Sequence, residues 1–222
     1  MTAFTSYLQQ GNTFMFASEL KALKIHPDFT CEIDRNSLTL FLRYNYIPAP
    51  YSIYKGISKL PSGSYVQLSI NNKELTSVTP YWSLSEVAFN GQSKPLNCND
   101  DEAVSLLENC LGSAVEEQLI SDVPLGAFLS GGIDSSLIVA LMQQQSTHPV
   151  QTFTVGFENI NYDESPHAEA VAHHLGTNHT KLMVTDADAR EVIPYLPDLY
   201  DEPFADSSQI PTHLVCRAAR QS

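Results

Sequence analysis

Leu129-Ser130-Gly131-Gly132-Ile133-Asp134-Ser135-Ser136 stands between a short apolar run, Pro124 to Leu129, and a helix-forming run, Asp134 to Gln144. A helix start presents backbone N–H groups without intrahelical acceptors, and the positive end of the helix dipole faces the same way. An anion is favoured there. Gly131 and Gly132 remove the side chains that would hold a phosphate off the backbone. Ser130, Ser135 and Ser136 add hydroxyl donors. Asp134 is the odd member, because a carboxylate beside a phosphate repels it unless a cation lies between. Mg2+, a hard ion that prefers oxygen ligands, fits that position. A bare Ser-Gly-Gly is most simply a ligand-free turn, but the full pattern in this context favours phosphate binding. The loop is neither GxxxxGK(S/T) nor GxGxxG, which excludes the Walker and dinucleotide fingerprints.

Downstream, strands and helices alternate. Gln151 to Val155 reads as a strand, Glu164 to Leu175 as a helix stopped by Gly176, and His179 to Val184 as a strand. Helical stretches follow, broken by Pro194, Pro197 and Pro203, and a last helix runs from about Ser208 to Ala219. Alternation with short links means a parallel sheet flanked by helices. In such sheets ligands bind at the carboxyl ends of the strands, where the loop lies. Upstream, Leu107, Leu111, Val115 and Leu119 recur every four residues and predict a long packing helix.

The first hundred residues differ in character. Asn12 to Ala17 predicts a strand, and Ser18 to Leu23 a helical turn capped by Ser18. Asp34 to Tyr44 predicts a helix with Leu38, Phe41 and Leu42 on one stripe, ended by Pro48 and Pro50. Gly56 to Ile70 predicts a hairpin turning at Pro61-Ser62-Gly63. The polar stretch Ser85 to Asp101 reads as a linker between two domains.

The 222 residues are 43% hydrophobic and 17% charged, a globular composition. With 25 acidic and 12 basic residues the net charge is -13, which disfavours nucleic acid as a partner. Cys31, Cys98, Cys110 and Cys216 have neither CxxC nor zinc spacing and read as free thiols. No signal-like start and no membrane-length apolar run is found, so the expected location is the cytoplasm, away from membranes.

SGGIDSS resembles the signature of the PP-loop ATP pyrophosphatases, which cleave ATP between the α- and β-phosphates. Further segments narrow the likeness: Ser121 to Pro124, Thr152 to Phe157, Tyr162-Asp163-Glu164, His174 to Thr177, and Tyr200 to Ser208. Phe16 to Leu23, Lys59 to Gly63 and Tyr81-Trp82 add to it. Together these are similar to glutamine-hydrolysing asparagine synthetase from about Asn12 onward. The implied fold is α/β: a partial parallel sheet with flanking helices (PP-loop ATP pyrophosphatase, HUP-like), preceded by the C-terminal remnant of an N-terminal-nucleophile glutaminase domain. The implied domains are a class II glutamine amidotransferase remnant over 1–85, a linker over 86–99 and the N-terminal part of the ATP-binding domain over 100–222.

The resemblance implies a ligase that attacks the α-phosphorus of ATP with the side-chain carboxylate of aspartate. Pyrophosphate leaves, β-aspartyl-AMP forms, and ammonia from glutamine displaces AMP to give asparagine. It implies ATP-binding residues Leu129, Ser130, Gly131, Gly132, Asp134, Ser135, Ser136, Val155 and Gly156, with Asp134 on Mg2+. Val155 on its own reads as an ordinary buried strand valine, and only the resemblance makes it a nucleotide contact. Asp201, Glu202 and Asp206 could line the cleft or merely cap helices and face water. His173, His174 and His179 lie near one turn, with little to suggest a metal site.

The family's glutaminase uses an N-terminal cysteine, whereas residue 2 here is Thr2, so no glutaminase chemistry is expected of this chain. A second loop that completes the family's metal site would follow Arg220. A truncated or split product, or a fragment of a longer one, inactive alone, is therefore expected, with glutamine a partner only of a full-length enzyme. A homodimer is one assembly the resemblance allows. A β-lactam synthetase-like adenylase and a non-catalytic nucleotide-binding remnant remain the alternatives.

Overall fold

The computed structural model describes residues 6–10, 13–69, 74–158 and 163–221. They fall into two compact units. The first takes residues up to 96 together with 196–206, and the second takes 97–195 with 207–222.

In the first unit, β1 (Ser6–Gln10) and β2 (Thr13–Ala17) pair antiparallel with Leu8 opposite Met15. Both side chains enter a core with Leu20, Leu23, Ile47, Ile53 and Ile57. The helix α1 (Leu20–Lys24) follows. Its N-cap is Glu19, with no side-chain cap, so the expected Ser18 cap does not form. The capping acceptor comes instead from far along the chain: Asp201 accepts from the amides of Leu20 and Lys21. The helix α2 (Arg35–Tyr44) is capped by Asp34, whose carboxylate accepts from Asn36 N–H and from the Ser37 hydroxyl. It ends at Asn45 in the left-handed region, before the prolines. Its expected apolar stripe is only partly used. Phe41 packs on the core, while Leu38 and Leu42 are exposed.

The predicted hairpin over 56–70 is not formed. β3 (Ser58–Lys59) pairs with β1, and β4 (Ser64–Tyr65) pairs with β7 (Thr79–Pro80). Between them β5 (Leu68–Ser69) pairs with β6 (Glu74–Leu75). Gly63 does sit at a turn, with φ +65°, and its carbonyl accepts from the amides of Tyr81 and Trp82. The turn expected at Pro61-Ser62-Gly63 is present, but the segments on its two sides pair with β1 and β7 rather than with each other; Ile70 lies outside the described residues. The polar stretch after Ser85 is not irregular either. It holds α3 (Leu84–Ser93), capped by Ser83, with no buried residue.

The second unit begins with α4 (Asp100–Gln118). Asn99 and Glu102 form a reciprocal capping box, and three acidic residues occupy the first turn, where the helix dipole favours them. Val115 is buried against Leu141, Met142 and Val150. The sheet is three-stranded and parallel, with β9 (Gln151–Phe157) between β8 (Gly126–Phe128) and β10 (Asn178–Val184). Central β9 buries Thr152, Phe153, Thr154 and Gly156, as a strand covered on both faces must. The helix α5 (Ile133–Gln145) follows β8, and α6 (Ser165–Leu175) follows β9. Gly176, at φ +71°, ends α6 in the left-handed cap expected of it. The strand before the loop is shorter than predicted, because Pro124 and Leu125 stay outside the ladder. Then α7 (Asp186–Val192) runs into a 3-10 turn. The next helix, α8 (Leu196–Leu199), belongs to the first unit, and α9 (Gln209–Gln221) packs on β9 and β10.

Candidate phosphate-binding site

The loop at 129–136 leaves the carboxyl end of β8 and becomes the first turn of α5. Leu129 is almost fully buried among Val139, Ala168 and Ala172. Its amide donates to the Phe153 carbonyl at 2.8 Å, so any nucleotide contact from its backbone falls to its carbonyl. Gly131 has φ +79°, a region where a side chain is strained. A Cβ there would lie 2.7 Å from Ala168 N and 2.7 Å from His167 Cβ. The loop is thus seated directly on the first turn of α6. Gly132 is different. It is the N-cap of α5 in ordinary extended conformation, and a Cβ would meet only Ser130 Oγ, at 3.3 Å.

The serines are organised around the loop. Ser136 Oγ donates to the Gly132 carbonyl at 2.7 Å, and so does Ser135 Oγ at 3.2 Å. Ser130 Oγ lies 2.9 Å from Ser135 Oγ and accepts from Gly132 N–H at 3.3 Å. The amides of residues 133–135, at a helix start, have no intrahelical acceptor. Asp134 is exposed in this first turn. The loop therefore offers amides and one carboxylate on an open face, with the Ser135 and Ser136 hydroxyls turned to the Gly132 carbonyl.

Val155 lies two residues past Phe153, the partner of Phe128 at the end of β8. It is half-buried, which leaves it at the crevice rather than in the core. Gly156 is buried, and a Cβ there would meet Met183 Sδ at 2.6 Å and Ser165 Oγ at 3.0 Å. Its glycine is explained by packing. Leu129, Ser130 and Val155 line one open pocket of about 310 Å3, with Phe128, Phe153, Thr154 and Phe157 from the strands. Glu164, Pro211, Thr212 and Val215 complete it.

Two residues without a role in the sequence reading matter to this geometry. The Asp163 carboxylate accepts from Ser165 N–H, from Ser165 Oγ and from Phe157 N–H, clipping the end of β9 to the start of α6. These bonds, the Ser165 hydroxyl first, hold its pKa below the ordinary carboxylate value. The signal was present as an acid two residues before a serine at a helix start. Pro211, Thr212 and Val215 gave no such signal, since only the fold brings α9 to the strand ends.

Other candidates separate from the loop. Asp201 and Glu202 belong to the first unit and serve its backbone: Glu202 accepts from Ile53 N–H at 2.7 Å and pairs with Lys59. Asp201 has a capping role, in agreement with the plainer of the two readings. His173 and His174 are exposed, and among the described residues no three His, Cys, Asp or Glu side chains group as a metal site. The four cysteines are unpaired, and no described helix is long and apolar enough to cross a membrane.

The family model for asparagine synthase matches residues 106–222, more than half of the chain. The chain belongs to the asparagine synthase family. A model for a glutamine amidotransferase domain matches residues 4–82. Among relatives, a candidate glutamine-hydrolysing asparagine synthetase of Methanocaldococcus jannaschii is 34% identical over 97% of this chain and 41% of its own length. Asparagine synthetase (glutamine-hydrolysing) 1 of Bacillus subtilis is 30% identical over 97% of this chain and 32% of its own. The chain thus spans well under half the length of these asparagine synthase relatives.

Proposed function

We propose that this chain carries the ATP-phosphate site of a ligase that makes asparagine from aspartate. The observation behind this is the Ser130–Ser136 loop: amides and hydroxyls at the start of α5, held on α6 by Gly131. On this reading Gly131, Gly132, Ser130, Ser135 and Ser136 bind the β- and γ-phosphates. Leu129 and Val155 face the nucleoside end, and Gly156 shapes the strand behind it. Residues 100–222 act as part of the ATP-binding domain, 1–85 as part of a glutamine amidotransferase domain, and 86–99 as the junction.

Aspartate's side-chain carboxylate attacks the α-phosphorus, and pyrophosphate departs with its negative charge held by preorganised donors. Ammonia from glutamine then attacks the β-carboxyl carbon of the aspartyl adenylate, and AMP leaves to give asparagine. Asp134 fits Mg2+, because it is exposed in the first turn of α5 beside the hydroxyls and one carboxylate with substrate phosphates is a usual Mg2+ set. When bound, the ion neutralises charge on the leaving pyrophosphate. The charge of Asp134 also makes metal-free ATP unfavourable there.

The test is Asp134→Asn in the full 222-residue chain. Wild type is expected to bind ATP better with Mg2+ than without it. Asp134→Asn should lose that Mg2+ dependence, on the order of tenfold in Kd. Equal Mg2+ dependence in both proteins, by calorimetry, counts against the assignment.

A further inference from the structure

Among the described residues, the pocket beside the loop has a single ionisable residue in its lining. Of the lining residues, Phe128, Leu129, Phe153, Val155, Phe157, Pro211 and Val215 are apolar, Ser130, Thr154 and Thr212 carry hydroxyls, and Glu164 alone carries a charge. We propose that Glu164 binds the ribose hydroxyls of the nucleotide and makes the site select ribonucleotides over deoxyribonucleotides. The proposal rests on the ATP reading above and adds a specificity residue to it.

Three observations point this way. The first is place: Glu164 is the N-cap of α6, just beyond the carboxyl end of β9, and shares the pocket with Ser130 at the start of the phosphate loop. In Rossmann dinucleotide sites, built on a different glycine loop, an acidic residue past the second strand takes the ribose from a comparable place. The second is availability. Glu164 occupies an N-cap position, yet its side chain makes no capping bond, and the residue is exposed. The neighbouring Asp163 ties the helix to the strand instead. The third is chemistry. An ionised carboxylate only accepts hydrogen bonds. Of the parts of ATP, the phosphates repel it, and the ribose hydroxyls and the adenine amino group are donors; the ribose is the one next to the phosphates, whose loop begins at Ser130 in the same pocket. A largely apolar pocket that shares Ser130 with the phosphate loop and carries one carboxylate matches the chemistry of a nucleoside beside its phosphates.

The experiment compares Kd for Mg-ATP, Mg-dATP and pyrophosphate, in the full chain and in Glu164→Ala and Glu164→Gln. Because Glu164 makes no capping bond, both variants should melt like wild type. Wild type is expected to favour ATP over dATP on the order of tenfold, the worth of a hydrogen bond to a charged group. Glu164→Ala should bring the two nucleotides together and leave pyrophosphate unchanged. Glu164→Gln should fall between. An unchanged ATP-to-dATP ratio in Glu164→Ala overturns the proposal, as does a loss of pyrophosphate binding, which would make Glu164 a metal or phosphate residue. If wild type binds neither pyrophosphate nor ATP, the ATP reading itself fails, and that outcome is distinct from the other two.

Discussion

Gly131 and Gly132 adjoin in sequence but answer to different physics. Gly131 is demanded by the fold: its φ of +79° and the 2.7 Å approach to α6 exclude any side chain. Gly132 has an ordinary backbone and one light neighbour, so what it keeps clear is the open face of the loop. Gly131→Ala is therefore expected to destabilise the second unit by about 1–3 kcal/mol through strain and overlap. Gly132→Ala should cost far less stability yet weaken pyrophosphate binding. Urea titrations of both variants check this, and equal losses of stability would contradict it. His179 supports a pH prediction. Its Nδ1 lies 2.9 Å from Thr152 Oγ1, while its buried Nε2 has no partner. Burial holds its pKa below the usual 6.5. As pH falls through that value the unfolded chain takes up a proton that the folded chain refuses. Stability is then full above about pH 6.5 and declines as pH drops toward the folded pKa. Urea midpoints followed by circular dichroism between pH 5 and 7 should show the decline, and His179→Asn should flatten it.

At the scale of elements, what could be read in advance was what is local. The α4, α5 and α6 helices and the β9 and β10 strands follow from periodicity, β-branched runs and the Gly176 stop, signals carried within one segment. The phosphate loop belongs to this class, since its strand, glycines and helix are contiguous. The errors concern pairings between distant segments. Nothing in Gly56 to Ile70 says that β3 joins β1 and β4 joins β7. Nothing near Ser18 says that the cap of α1 is Asp201, 181 residues from Leu20. The same holds for α9, which supplies part of the pocket lining. Segment 196–206 shows how strong such a distant pairing is. Glu202 accepts from Ile53 N–H and pairs with Lys59, whose Nζ also donates to the Ile47 carbonyl at 2.6 Å. Glu202 and Lys59 are both mostly buried, with side chains 14% and 21% exposed. Glu202→Ala leaves an amide and an ammonium short of an acceptor and is expected to cost about 1–3 kcal/mol. Glu202→Gln keeps an oxygen for Ile53 and should cost less. Trp82 is the only tryptophan and lies in the first unit, so its fluorescence in urea reports this unfolding directly.

For the whole molecule the decisive quantity is how much of the chemistry 222 residues contain. They span 41% of the Methanocaldococcus relative and 32% of the Bacillus one. Binding a phosphate needs only the loop, but in-line attack on the α-phosphorus also requires groups that orient aspartate and stabilise the charge developing in the transition state. On the proposed reading the phosphate loop and the adjoining pocket take the nucleotide; the second unit's described cations are Lys181, which pairs with Glu169, Arg190, which pairs with Asp186, and Arg217 and Arg220 on α9. None of these lines the pocket. Binding and turnover should therefore separate. The 222-residue chain is expected to bind Mg-ATP and pyrophosphate while showing no aspartate-dependent exchange of labelled pyrophosphate into ATP. A polypeptide extended to the length of the relatives, carrying the same loop, is expected to catalyse that exchange with aspartate and Mg2+ present, and Asp134→Asn in it should reduce the rate by at least tenfold. Exchange by the 222-residue chain would show that its own residues suffice for the adenylation step. Exchange absent from the extended protein would remove aspartate as the acceptor and leave the loop as a phosphate site for some other amide-forming reaction.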